Sequence, residues 1–223
     1  MTIQVVPAIL PQSFDDIAAK AATVKGAVSC VQIDITDGSY AHTETWPFSS
    51  SEHFSQLLSQ DEGMPFWEDI EYEVDMLVDK PERFVDDWIA VGISGAVIHV
   101  ESTDMFEEIS QKLRDHGVLC GAGILPSTDI AKLEELEGLF DFIQCMGNDE
   151  IGRNGVVLDE RVYEKVQVLR ELYPEMPIAV DIGVNEETAP ELVDAGATKL
   201  VSGSAIFGSP DPKETITALE NLA

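Results

Sequence analysis

The sequence predicts an α/β fold: a single-domain (β/α)8 barrel over residues 1–223. Three observations carry this. Apolar β-type runs alternate with helical segments eight times, the pattern of a parallel sheet covered by helices. The last two runs, Ile178-Ala179-Val180-Asp181-Ile182-Gly183-Val184 and Lys199-Leu200-Val201-Ser202-Gly203-Ser204-Ala205-Ile206-Phe207, end in Asp and Gly and in Gly-Ser. Such ends let backbone N–H groups approach a phosphate at the C-terminal mouth of a barrel. No G-x-G-x-x-G follows the first strand, which argues against an open dinucleotide-binding sheet.

In chain order, Ile3 to Ile9 reads as a strand and Phe14 to Lys25 as a helix after Pro11-Gln12-Ser13. Val28 to Ile35 is β-like. The polar loop Asp37 to Pro47 follows, carrying Tyr40, His42 and Trp46, and then a helix around Glu52 to Ser59. Ile70 to Leu77 is a strand, and Pro81 to Val91 a helix with proline in its first turn. Gly95 to Val100 is a strand, and Asp104 to His116 a helix closed by Gly117. Val118 to Ile124 leads to a helix, Ser127 to Leu136, with serine as its expected cap. Phe140 to Met146 leads through Gly147 to Gly155 into a helix, Asp159 to Tyr173. Pro177 to Asp181 and Thr198 to Ser202 are the last strands, each followed by a helix.

At 223 residues and 44% hydrophobic, the chain suits one barrel near the lower size limit. Met1-Thr2-Ile3-Gln4 has no basic region, so no signal peptide is expected. No run is long enough to span a membrane. Cys30, Cys120 and Cys145 are scattered and odd in number, which favours free thiols and a cytoplasmic location. The formal charge of −29, from 42 acids against 13 bases, argues strongly against nucleic acid and anionic membrane as partners. It reads as a solvated acidic surface or as adaptation to high salt. Either way, a phosphate must be held locally, by backbone N–H groups and helix N-termini.

Period-two alternation places the acids. Gln32, Asp34 and Thr36 share one face of the second strand, opposite apolar residues that meet the outer helices. Glu71, Glu73 and Asp75 share a face of the third, and Asp181 opposes Val180 on the seventh. Three strands therefore aim a carboxylate inward near the end where such barrels keep their chemistry.

These residues, with Pro7-Ala8-Ile9-Leu10, Gln32-Ile33-Asp34-Ile35-Thr36-Asp37-Gly38, Glu73-Val74-Asp75-Met76-Leu77-Val78-Asp79-Lys80-Pro81, His99-Val100-Glu101, Val180 to Val184 and Ser202 to Gly208, resemble the ribulose-phosphate 3-epimerase family in order and spacing over nearly the whole chain. The resemblance implies a TIM barrel of the pentose phosphate pathway that acts on a pentulose 5-phosphate. Such an enzyme inverts C3 through an enediolate, with a divalent metal between two catalytic aspartates. It implies Asp34 and Asp181 as that pair, one for each face of the substrate. The family's two metal-binding histidines fall on Gln32 and Asp75, its first-strand serine on Ala8, and its three methionines on Met146, Thr36 and Leu77. The family's phosphate loop corresponds to Asn148 to Gly155, which keeps Gly155 and brings in Arg153; the phosphate region at Gly183, Gly203 and Ser204 matches best.

The chemistry needs a site for the oxyanion that forms when a proton leaves the carbon beside a ketone. Asp34, Asp75 and Asp181, with Gln32, could hold a metal in a mostly oxygen site, suited to manganese or magnesium rather than zinc. Alternatively Gln32 could donate its amide to the oxyanion with no metal at all. His99 is either catalytic or structural beside Glu101; His42 and Trp46 either cover substrate or pack the loop; Arg153 either binds phosphate or pairs with Asp149 or Glu150. A sugar phosphate is the expected partner and a homo-oligomer the expected assembly. Epimerase is the leading reading. Another phosphosugar lyase or isomerase on the same barrel, and a non-catalytic phosphosugar-binding protein, are the alternatives.

If the acidic surface is an adaptation to salt, the thermal midpoint should rise steeply from dilute buffer to molar KCl. A midpoint that does not move leaves an ordinary solvated surface.

Overall fold

Eight strands pair in parallel, in chain order, and close on themselves: β1 (Gln4–Ile9), β2 (Cys30–Thr36), β3 (Glu71–Leu77), β4 (Gly95–His99), β5 (Leu119–Ile124), β6 (Phe142–Met146), β7 (Ile178–Asp181) and β8 (Lys199–Ser202). β1 joins β8 with Gln4 opposite Lys199 and Val6 opposite Val201. The computed structural model describes residues 3–222. Met1 and Thr2, part of the stretch read as lacking a signal peptide, lie outside the described residues. Among those described, no helix is long and apolar enough to cross a membrane.

The outer layer is α1 (Phe14–Val24), α2 (Phe54–Leu58), α3 (Val85–Val91), α4 (Phe106–Asp115), α5 (Ala131–Glu134), α6 (Arg161–Leu172), α7 (Ala189–Ala195), α8 (Ser204–Phe207) and α9 (Pro212–Glu220). Ser13 caps α1 by accepting the Asp16 N–H, worth about 1 kcal/mol. Gly117 ends α4 at φ +71°, where a side chain would be strained. Three predicted helices are altered. The segment 81–91 opens with a separate 3-10 turn, Pro81–Arg83, because Phe84 leaves helical geometry at φ −122°. The helix near 52–59 shortens to α2, whose cap residue His53 is left-handed and makes no side-chain cap bond. The segment 127–136 shrinks to α5 and Ser127 does not cap it. Its N–H instead donates to Asp149 at 3.0 Å, while Asp129 accepts from Ala131 at 3.0 Å.

The outward faces of the strands supply the main core. Val31, Ile33 and Ile35 of β2 and Tyr72, Val74 and Met76 of β3 are buried against the helices. The three cysteines are free and buried. Burial pushes each thiol up to about 12, so none is a nucleophile near neutral pH.

The inward faces are unusually polar. In the lower part of the barrel, Lys199 of β8 reaches across to Glu73 of β3, with Nζ 2.7 and 2.6 Å from the two carboxylate oxygens. Both residues are buried, and the ammonium lies 4.4 Å from the Phe142 ring centroid, a cation–π contact. Removing one member of such a pair leaves an uncompensated charge. Lys199→Met should therefore cost about 3–5 kcal/mol. Adding Glu73→Gln should recover most of that loss in urea unfolding, and a double variant no more stable than Lys199→Met would show that the charge is not the cause.

Candidate active site

The barrel register brings three acids to one mouth. Asp34 of β2 stands opposite Asp75 of β3. Asp181 ends β7 opposite Met146 of β6. One carboxylate oxygen from each of Asp34, Asp75 and Asp181 lies within 4.8 Å of the other two. Gln32, two residues before Asp34 and on the same face, turns its amide nitrogen between two of them: Nε2 donates to Asp34 Oδ1 at 2.8 Å and to Asp181 Oδ2 at 3.0 Å. Asp75 receives two other donors. His99 Nε2 faces its Oδ1 at 2.8 Å and Gln144 Nε2 donates to its Oδ2 at 3.0 Å.

Asp181 is fixed by its own turn. Its Oδ1 accepts the Ile182 N–H at 2.7 Å. Ile182 sits at φ +79° and Gly183 at φ +74°. The glycine adopts this region freely, whereas a β-branched residue is strained there.

Crowding sets the protonation. Burial, then the charges of Asp181 and Asp75, push the Asp34 carboxyl well above the ordinary range, against the Gln32 hydrogen bond. Burial and then Asp75 push Asp181 up to about 7. For His99, burial opposes the charge, but Asp75 and Glu101 outweigh it and hold the imidazole above its usual value.

Above the acids lies a cavity whose wall includes Asp34, Asp181, Met146, Arg153, Gly155, Gly183, Gly203 and Ser204, with Leu10 and Leu77 as apolar lining. Gln32 and Asp75 are fully buried and do not line the cavity. The loop after β6 is tied over the mouth where Thr43 Oγ1 donates to the Gly152 carbonyl at 2.7 Å. Gly203 has a second duty, since a Cβ there would meet the Ala8 carbonyl oxygen at 2.8 Å. Arg153 is exposed and 3.7 Å from Glu150, while Asp149 pairs with Arg161 at 2.8 Å.

Several sequence expectations are resolved by this geometry. Trp46 does not cover the mouth. It is fully buried against Phe14, Phe54 and Trp88, with its N–H on the Glu52 carbonyl at 2.8 Å. His42 lines a neighbouring surface pocket with Tyr40 and Arg153. Of the three acids on one face of β3, only Asp75 reaches the mouth; Glu73 belongs to Lys199 and Glu71 is exposed. The Gln144 contact went unread in the sequence, although in Phe142-Ile143-Gln144-Cys145-Met146 the period of two sets Gln144 on the face of Met146. Nothing in the sequence announces the strained turn at Ile182.

The sequence matches the model of the Ribulose-phosphate 3 epimerase family over residues 4–207. It is 31% identical over 150 residues to a ribulose-phosphate 3-epimerase of Schizosaccharomyces pombe, covering 67% of this chain and 65% of that one. With the ribulose-phosphate 3-epimerase of Bacillus subtilis it shares 27% identity over 223 residues, covering 97% and 98%. Among solved structures, 3-hexulose-6-phosphate synthase from Salmonella typhimurium superposes with a TM-score of 0.71 at 16% identity, covering 100% and 98%. A 3-keto-L-gulonate-6-phosphate decarboxylase from Vibrio cholerae does so at 0.73 and 12%, covering 100% and 97%. These structural likenesses bear on the fold alone.

The raised Asp181 carboxyl has a consequence for stability. Unfolded, an aspartate ionises near about 4; folded, this one does so at about 7. The folded chain binds the extra proton between those values, so its contribution to stability is present at low pH and is lost as pH rises through the upper value. Asp181→Asn cannot ionise. In chelator-treated protein its thermal midpoint should therefore gain on the parent's as pH rises from about 4 to about 8. A constant difference across that range would refute the shift.

Proposed function

The chain belongs to the ribulose-phosphate 3-epimerase family, and we propose that it interconverts the C3 epimers of a ketose 5-phosphate, with Asp34 and Asp181 as its acid and base. The observation that carries the reading is the pairing of these two carboxylates across one mouth, bridged by a single Gln32 nitrogen, in the wall of the cavity that Gly183, Gly203 and Ser204 also line. The phosphate would be held at that glycine-serine end, with Gly155 and Arg153 on the loop above.

With the phosphate so anchored, C3 lies between the two aspartates. The ionised one removes the C3 proton, and the electron pair moves into the C2–C3 bond as the C2 oxygen gains negative charge. The protonated one then delivers its proton to the opposite face of C3. The raised proton affinities of both acids suit these roles near neutral pH. Their exchange of roles makes the reaction reversible.

The donor set fits a divalent cation. Three carboxylates lie within 4.8 Å of one another, and the buried Gln32 Oε1 has no hydrogen-bond partner. Turning the Gln32 amide over would offer that oxygen to the cluster. Asp34, Asp75, Asp181 and Gln32 would then hold the ion, and an all-oxygen site favours manganese or magnesium over zinc. When bound, the ion supplies electrostatic stabilisation of the C2 oxyanion. One observation favours a second reading, phosphosugar binding without turnover: the Gln32 N–H groups occupy an oxygen of both aspartates.

Proton NMR of ribulose 5-phosphate in heavy water, with manganese or magnesium added in turn, separates the two. Exchange of the C3 proton is expected from the parent. Asp34→Asn and Asp181→Asn should each lower the rate by about 10²-fold or more while sugar-phosphate affinity stays within about threefold. No exchange with either metal, or full turnover by Asp181→Asn, would sink the epimerase reading. Gly203→Val should weaken phosphate binding at least about tenfold; unchanged affinity would move the anchor elsewhere.

A further inference from the structure

His99 is wholly buried at the end of β4 and takes no part in the proton transfers above. Its ring is closely packed, with a hydrogen-bond partner at Nε2 and none at the buried Nδ1. Nε2 faces Asp75 Oδ1 at 2.8 Å. The Tyr40 ring lies against it, with centroids 5.4 Å apart. The Tyr40 hydroxyl donates to Glu101 Oε2 at 3.0 Å, and that same oxygen stands 3.9 Å from His99 Nδ1. On β5, Gly123 leaves the ring its room, because a Cβ there would lie 2.9 Å from both Cε1 and Nδ1. The second oxygen of Asp75 is held by Gln144 at 3.0 Å. Asp75 therefore has one donor on each oxygen, delivered from two different strands, and two donors in fixed places define the plane of a carboxylate.

We propose that His99 is a positioning residue. Together with Gln144 it fixes the Asp75 carboxylate against Asp34 and Asp181, and so sets the spacing of the three-acid cluster. Gly123 is part of the device, since any side chain there would displace the ring. Without the His99 donor, Asp75 is a buried group held at one oxygen only, facing two other acids within 4.8 Å. Repulsion would then turn it out of the cluster. Tyr40 and Glu101 keep the ring from following. The kinetic consequence rests on the epimerase reading; the geometric claim does not.

Three variants test it: His99→Leu, which removes the donor; His99→Gln, which keeps an N–H near the place of Nε2; and Gly123→Ala, which shifts the ring and leaves its chemistry intact. The first readout is hydrogen exchange of the Gln144 side-chain amide by NMR, without metal or substrate. Exchange should be slow in the parent and His99→Gln, and about tenfold faster in His99→Leu and Gly123→Ala. The second is C3 proton exchange on ribulose 5-phosphate. His99→Leu should lower kcat by about 10-fold or more, with KM within about twofold, and His99→Gln should restore most of it. Loss of Gln144 protection in a protein whose parent shows no turnover would uphold the positioning role and reject the epimerase reading. Unchanged Gln144 exchange in His99→Leu would overturn the positioning role, and so would a rise in KM at constant kcat. If His99→Leu does not fold, Gly123→Ala decides: no change in either readout overturns the proposal.

Discussion

Three carboxylates whose oxygens lie within 4.8 Å of one another repel strongly where water cannot screen them. The barrel wall imposes that proximity, because parallel register sets Asp34 beside Asp75 and closure brings β7 round to meet them. The surrounding polar groups answer it. Gln32 places one nitrogen between two acids, His99 and Gln144 hold the third, and the Ile182 N–H takes the remaining oxygen of Asp181. Protons do the rest, by staying on Asp34 and Asp181 at pH values where exposed aspartates have lost them.

The same strand shows the opposite solution one layer down. Glu73 and Asp75 are two residues apart on β3 and point into the same barrel. Glu73 meets a lysine directly, and its charge is closed off. Asp75 meets one neutral amide, that of Gln144, and the His99 imidazole, and its layer keeps a deficit of positive charge. A deficit of this kind is what a cation or a reacting proton needs. The neutralised layer beneath is stable and inert, and a protein carrying a formal charge of −29 has few bases with which to build it. At the mouth above it, Gly183, Gly203 and Ser204 line the cavity.

The alternation of apolar runs and helical segments was enough to read the barrel, because strand burial and parallel pairing leave a direct imprint on residue type. The placement of Asp34, Asp75 and Asp181 at one mouth was legible for a related reason: a period of two distinguishes faces, and strand ends distinguish top from bottom. Partners across the barrel were not legible. Lys199 and Glu73 are 126 positions apart, and neither residue's neighbours announce the other. Gln144 was readable by alternation, yet the acid it holds, Asp75, stands 69 positions away on β3. Trp46 read as a lid candidate because its loop is polar; the aromatic cluster that receives it comes from α1, α2 and α3, and only the packed structure assembles that surface. Ser127 as a cap failed because α5 begins only at Ala131, whose N–H is taken by Asp129.

Ile182 holds a left-handed backbone conformation immediately after Asp181, at a cost on the order of 1–3 kcal/mol for a residue of its kind. A saturation scan scored by folding alone would then rank glycine above the native residue at this position. A scan scored by turnover would be sensitive to whether the looser backbone still aims the Ile182 N–H at Asp181. Disagreement between the two rankings would mark position 182 as held by the demands of the neighbouring carboxylate, a form of selection that burial and packing do not reveal.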